Sequence, residues 1–352
     1  DVHSGAVWAS EGPLAVDTES WTLLLWSLQE RGLRWERVVM DDGAPMHSAC
    51  QHVTPDVLVQ LDHWHLFQAC SLVQARLQRR LSQMHARTAA VERQAACLEL
   101  GTRQRGRPTK RTLESHSQEL AAATDGVAAL AYLTDELHRL LAVVVVGRKR
   151  LLSLAERQDE LDALLSLLDE LAESSAGEQQ AELGRLARRI RRQMPKLLSF
   201  GAQVQQVQQE LSGVLAAERQ ALLGWAWLRR KELAWTDAEV IAAVPVDWRA
   251  AARVLLTAWQ EAVQVSSAVE RWHSILRPHL AVRRRLTNGM LALLAVWHNH
   301  RVFTRGKHKG QSPLHLSGMR DAPTDWLVAL GYPPASTEHS PAHLMPEWTL
   351  AA

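Results

Sequence analysis

Ser266-Ser-Ala-Val-Glu270-Arg-Trp-His-Ser-Ile-Leu-Arg277-Pro-His-Leu-Ala-Val-Arg-Arg-Arg285 reads as a helix that carries one acid among a row of cations. Ser267 and Glu270 stand at the Ser-x-x-Glu spacing of a capping box, so the spacing predicts a helix start here. Val269, Ile275, Leu276, Leu280, Val282 and Leu286 recur at roughly helical intervals. Pro278 predicts a kink in that rod. Beyond Glu270 the charges are almost all positive: Arg271, Arg277, Arg283, Arg284, Arg285, then Arg301, Arg305, Lys307 and Lys309. One carboxylate bordering such a stripe suits a metal ion held against a polyanion, and the same spacing suits a Glu that only caps its helix.

Working outward, the 352 residues suffice for two or three domains, or for one domain with a large insertion. The net charge of +2 conceals an asymmetry, because acids gather mid-chain and cations toward the end. A local basic stripe is an electrostatic footprint for phosphate whatever the total charge. Cys50, Cys70 and Cys97 show no paired spacing, which points to a reducing compartment. His47-x-x-Cys50 with His63 and His65 lacks the second cysteine pair of a zinc site. The most apolar run, Leu140 to Val146, is too short to span a bilayer, so no membrane association is expected. No signal peptide is visible.

In chain order, strand character is confined to residues 1–66. Gly5–Ser10 and Pro13–Val16 read as short strands, Trp35–Met40 and Val57–Leu61 as buried ones. Glu19–Arg31 reads as an amphipathic helix stopped by Gly32, and Ala44–His52 as a short helix. Strands alternating with helices predict an α/β sheet with polar strand ends lining the site. Residues 67–259 change to long helices. Leu154, Leu161 and Leu168 recur every seven residues over only about two heptads, which favours helical hairpins in a bundle over a coiled coil. Breaks are expected near Gly101–Pro108, Ser174–Gly177 and Pro195. After the Glu270 helix comes a second amphipathic helix, Leu291–Val302, and a basic loop through Lys307-His-Lys309. The proline-rich residues 319–352 form a tail.

Two features of the helical region bear on nucleic acid. Arg105-Gly-Arg107-Pro is like the core of an AT-hook, whose guanidinium groups enter a narrow minor groove, and it also fits a solvated basic linker. Trp225, Trp227, Trp235, Trp248 and Trp259 read as core, with an exposed member able to stack on an unpaired base.

Phosphodiester chemistry with two divalent ions needs clustered carboxylates, and Mg²⁺ takes a few of them together with water and substrate phosphate. Asp41, at the end of a buried strand, suits that role; an Asp-Asp-Gly turn is its other reading. Val38-Val-Met-Asp41-Asp-Gly43, Leu61-Asp62-His-Trp-His65, Ser266–Arg285, Leu291–Arg301 and Gly310-Gln-Ser-Pro313 together resemble the bacterial insertion-sequence transposases of the DDE, ribonuclease-H-like type. The resemblance covers residues 1–66 and 260–318. The middle resembles, in kind, the all-helical insertion that Mutator-like transposases carry before their last acid.

The resemblance implies an α-rich α/β fold, a ribonuclease-H-like mixed sheet interrupted by a large all-α insertion. Residues 1–66 and 260–318 would build the catalytic core, 67–259 the insertion and 319–352 the tail. It implies Asp1, Asp41 and Glu270 as catalytic acids holding two Mg²⁺ or Mn²⁺ ions, with Asp62 and His65 in support. Arg105, Arg107, Arg271, Arg277, Arg283, Arg284, Arg285, Arg301, Lys307 and Lys309 would contact DNA. The implied activity is metal-dependent strand cleavage and strand transfer on double-stranded transposon ends and target. A homodimer or higher oligomer would pair the two ends in a bacterial cytoplasm, at the nucleoid. The family's N-terminal DNA-binding region has no counterpart before Asp1, so the chain is expected to be part of a longer product. The alternative expectation is a truncated, inactive transposase-derived DNA-binding protein.

Overall fold

The computed structural model describes residues 1, 4–12, 17–101, 113–143, 152–175, 177–210, 212, 221–222, 241–242, 244–253, 267–283, 285–306 and 308–334. These residues are mostly helical, with one small two-stranded parallel sheet. The chain divides into two compact units, Asp1–Leu33 with Ser267–Ala352, and Arg34–Ser266. The segments 105–107 and 335–352, Arg284, Lys307 and four of the five tryptophans named above lie outside the described residues.

The larger unit opens with β1 (Arg37–Met40), α2 (Ala44–Val53) and β2 (Leu58–Leu61), where α1 denotes Thr18–Glu30 of the other unit. β1 and β2 pair in parallel with Arg37 opposite Leu58 and Met40 opposite Leu61. Parallel pairing needs a crossover, and α2 is that crossover. Both strands end in apolar residues that are buried, Met40 and Leu61.

From there the unit is helical: α3 (His63–Glu99), α4 (Leu113–Leu141), α5 (Leu154–Ser174), α6 (Glu178–Leu197) and α7 (Gly201–Glu210). α3 packs along α4 and α5 along α6. Leu161, Leu164, Leu165 and Leu168 of α5 are buried against Leu183, Leu186 and Ile190 of α6, so the leucine spacing seen in the sequence is a bundle stripe. Ser153 and Glu156 form the capping box of α5: Ser153 Oγ accepts from the Glu156 N–H at 3.2 Å, and Glu156 Oε2 accepts from the Ser153 N–H at 2.8 Å. The expected break at Ser174–Gly177 is present, where Gly177 takes φ +60°. The break expected near Pro195 is present as well: Pro195 sits in the last turn of α6, which ends at Leu197. Proline lacks the N–H that would bond Arg191 O four residues back, which weakens the last turn, and the helix stops two residues later.

Arg157 is fully buried and faces the end of α4. Its Nη1 donates to Leu140 O and to Ala142 O (2.7 Å), its Nη2 to Val143 O (2.8 Å) and its Nε to Leu152 O (3.2 Å). The guanidinium also lies 5.2 Å from the Phe200 ring centre. A helix C-terminus presents carbonyls with partial negative charge, so a cation there is favoured twice, by hydrogen bonds and by the dipole. Burial pulls the Arg157 pKa down to about 10, with Glu156 and Glu160 acting in the opposite direction, so it stays charged at neutral pH.

The smaller unit contains α1, then α8 (Ser267–Val282), α9 (Asn288–His300), α10 (Pro313–Leu316) and α11 (Trp326–Ala329). α8 is described from Ser267 and runs through Pro278 without a break. Thr287 caps α9 by accepting from the Met290 N–H at 3.2 Å. Among the described residues, Gly5–Ser10, expected as a strand, pair with no strand. Their backbone is satisfied by side chains of α9 instead: the Asn299 amide accepts from the Val7 N–H and donates to the Val7 carbonyl, both at 2.8 Å. Residues 13–16, expected as a second strand, lie outside the described residues. Among the described residues no helix is long and apolar enough to cross a membrane.

Replacing Arg157 with Met removes every one of those donors and leaves buried carbonyls unsatisfied. The expected loss is about 3 kcal/mol, read as a lower urea midpoint with an unchanged m-value.

Candidate active site

The expected site residues fall in both units. In the larger one, Asp41 follows β1 and Asp62 follows β2, and the strands are in register up to Met40 and Leu61. The Asp62 N–H donates to Met40 O at 2.8 Å, which continues the ladder by one step. The two acids therefore leave adjacent carboxyl ends of a parallel pair, the edge at which α/β sheets place ligands. Their environments differ. Asp41 is exposed, and its Oδ1 lies 3.2 Å from where a Gly43 Cβ would stand. Asp62 is 3 % exposed, and its Oδ1 accepts from the Trp64 N–H at 2.8 Å, capping α3. His65 Nε2 lies 4.0 Å from Asp62 Oδ2, close enough for an ion pair once protonated. Asp42, the neighbour of Asp41, is engaged by Arg192 at 2.8 Å and by Arg189 at 4.0 Å.

His63, between those residues, belongs to the core. Its Nε2 donates to Leu197 O at 2.9 Å, and its ring meets Phe200 edge-on at 5.8 Å. Burial holds its pKa down at about 4, against smaller raising contributions from Leu197 O and Asp62.

In the smaller unit, Asp1 sits at the head of a tight turn. The Ser4 hydroxyl donates to Asp1 Oδ2 at 2.6 Å, and the Gly5 N–H donates to Asp1 O at 2.9 Å. Gly5 takes φ +75°, and a Cβ there would stand 3.3 Å from Arg271 Nη1. The turn bearing Asp1 is thus packed against the residue next to Glu270. His298 Nε2 donates to Gly5 O at 3.0 Å, Trp272 Nε1 donates to Ser10 Oγ at 3.1 Å, and Gly12 N–H donates to Asn288 Oδ1 at 3.1 Å. Residues 5–12 are pinned to α8 and α9 along their length.

Glu270 is in the first turn of α8 and half exposed. Arg277 Nη2 donates to its Oε2 at 3.2 Å, and His273 Nδ1 lies 3.8 Å from Oε1. Exposed pairs of this kind are worth under about 1 kcal/mol, weak enough for a dication to displace. Arg301 lies over the Trp297 ring, 4.7 Å from its centre. Burial lowers the Arg301 pKa, and nearby Arg271 lowers it further. Burial likewise lowers that of His298, partly countered by the Gly5 bond, with Arg301 and Arg271 adding to the lowering. Two of the expected phosphate-binding cations, Arg271 and Arg301, are therefore neighbours. Arg277 is committed to Glu270. Arg283, Arg285 and Lys309 are exposed.

Asp1, Asp41 and Glu270 offer only carboxylate oxygens, the donor chemistry that a hard divalent cation prefers. Among the described residues, no group of three or more His, Cys, Asp or Glu is gathered to hold a metal ion. Residues missed by the sequence reading are Ser4, Asn288 and His298, which build the Asp1 turn and its attachment. Nothing local to them signals that role, because their partners lie far away along the chain. Comparison with protein-family models, with curated proteins and with solved structures yields no match to this chain.

Asn299→Ala leaves both backbone groups of Val7 without their partners, at a cost of about 2 kcal/mol. Amide exchange at Val7 should accelerate to match, and unchanged protection would contradict the clamp. For His63 the folded pKa near 4 lies below the ordinary 6.5, so the unfolded chain binds the proton first. Its contribution is complete above pH 6.5 and is lost as pH falls toward 4, about 3 kcal/mol in all. Urea midpoints measured across that window should fall with acidification, and His63→Phe should make the slope shallower.

Proposed function

We propose that this chain is the catalytic part of a DDE-type transposase that cuts DNA strands at the ends of an insertion sequence and joins them to target DNA. The observation that carries the proposal is the placement of Asp41 and Asp62 at the adjacent carboxyl ends of a parallel strand pair. β1, α2 and β2 are read as part of a ribonuclease-H-like mixed sheet, with the α3–α7 bundle as its helical insertion. Support comes also from the packing of the Asp1 turn against Arg271, and from the cations that follow Glu270 on α8.

In this reading Asp1, Asp41 and Glu270 would hold two Mg²⁺ or Mn²⁺ ions. Such a pair stabilises the attacking and leaving oxygens of an in-line displacement at phosphorus. The chain's own residues bind and orient. Asp62 fixes the start of α3 and steadies His65, while Arg271 and Arg301 grip backbone phosphates, Arg301 held by its ring contact. Arg283, Arg285 and Lys309 extend that contact, which makes affinity steeply salt-dependent. Double-stranded DNA is the partner, a dimer or larger assembly would pair two element ends, and the bacterial nucleoid would be the setting.

A second reading is favoured by the engagement of Glu270 with Arg277 and His273: a transposase-derived DNA-binding protein whose acids no longer take metal. Nicking of supercoiled plasmid in Mn²⁺ separates the two. Asp41→Asn and Glu270→Gln should each lower the nicking rate at least a hundredfold while leaving duplex binding within about twofold. Equal nicking by wild type and both variants would remove these acids from the mechanism. A Mn²⁺ titration that both variants leave unchanged would establish the second reading.

A further inference from the structure

α6 has two faces of opposite character. Leu183, Leu186, Ala187, Ile190, Met194 and Leu197 are buried on one. At 100° per residue, Arg185, Arg188, Arg189, Arg192 and Lys196 fall within an arc of about 100° on the other, over about 16 Å of helix axis. Three of them (Arg185, Arg188 and Arg192) are exposed, and Arg189 and Lys196 partly so.

The acids facing this stripe are few. Asp42, from the loop after β1, pairs with Arg192 and more distantly with Arg189. Asp169 of α5 takes Arg191, which lies off the stripe, and Glu182 takes Arg76 of α3. Among the described residues no carboxylate pairs with Arg185, Arg188 or Lys196. The stripe ends beside the loop that carries Asp41. Arg192 reaches Asp42, and His47, in the first turn of α2, feels both Lys196 and Asp42.

We propose that this face of α6 is a binding surface for the phosphate backbone of duplex DNA, leading the duplex to the Asp41 edge of the strand pair. It rests on the transposase reading for the identity of the polyanion, but its cations lie in the helical region and are separate from those following Glu270. Five cations on one rigid rod, only one acid among them, match a surface carrying one negative charge per roughly 1.7 Å of axis. Arginine donors in fixed forks suit phosphate oxygens. Asp42 acts as an internal competitor, occupying Arg192 until phosphate replaces it.

The test is binding of the full chain to a fluorescent mixed-sequence duplex of about 30 base pairs over a range of salt. Arg185→Gln/Arg188→Gln/Arg192→Gln should weaken binding at least tenfold near 0.1 M salt and reduce the log–log salt slope by about 2 to 3. Its urea midpoint should stay near wild type, since all three side chains are exposed and the one pair lost, Arg192 with Asp42, is largely solvated. Asp42→Asn should tighten binding. The control Arg79→Gln/Arg80→Gln/Arg87→Gln removes equal charge from α3 and should change affinity less than about threefold. An equal loss in that control, or an unchanged slope in the α6 variant, overturns the proposal. So does polyglutamate displacing the duplex at equal charge concentration, which would assign the face to an acidic protein. Wild-type chain that binds duplex steeply while the α6 variant behaves identically sinks this inference alone. Loss of α6-dependent binding without any acid-dependent nicking sinks the catalytic reading alone.

Discussion

The smaller unit depends on one side-chain amide standing in for a β-strand. Asn299 offers Val7 an acceptor and a donor at 2.8 Å each, the pair of bonds that a neighbouring strand would supply. The two residues are 292 positions apart. Without this clamp the backbone of Gly5–Ser10 would have to find water or a strand, because main-chain polar groups are costly to leave unpaired. With it, the turn bearing Asp1 is held against α8 and the neighbour of Glu270. His298, Trp272 and Asn288 add single bonds along the same segment, so it is fixed at several points.

The larger unit solves a similar problem with a charge. α4 ends inside the core region, where its last carbonyls have no helical partner. Arg157 fills that need from α5, and the hydrogen bonds together with the helix dipole offset the cost of burying a guanidinium. The consequence for function is positional. α5 and α6 form a fixed hairpin, and α6 in turn presents its cations beside the loop after β1. The helical region, in which the sequence singled out only Arg105–Arg107 and the tryptophans, thus also carries a charged face next to a candidate acid.

Element types were legible wherever local pattern and burial agree. The leucine stripe of α5, the helix at Thr18–Glu30 stopped by Gly32, and the two strands ending at Met40 and Leu61 follow from periodicity and breakers. Gly5–Ser10 was not legible: its apolar residues look like a strand, yet its partner is a helix side chain, and no local signal encodes that. The break near Pro195, by contrast, was legible, since the helix ends at Leu197, two residues beyond the proline. The basic face of α6 had a visible signal, cations at i, i+3, i+4, i+7 and i+11 from Arg185, whose meaning depends on knowing which face is buried.

The amino-acid sequence by itself determined the helix-rich class, two strands with an acid after each, and the acid-plus-arginine character of the Ser267–Val282 helix. These follow from period, turn chemistry and residue type, which act over a few positions. Tertiary structure alone decided that Asp42 rather than Asp41 takes the α6 arginines, that His63 is a neutral core residue, and that the first residues are pinned by Asn299. Each of these rests on which groups meet across long stretches of chain in a low-dielectric or crowded setting, and spacing along the chain carries no record of such meetings.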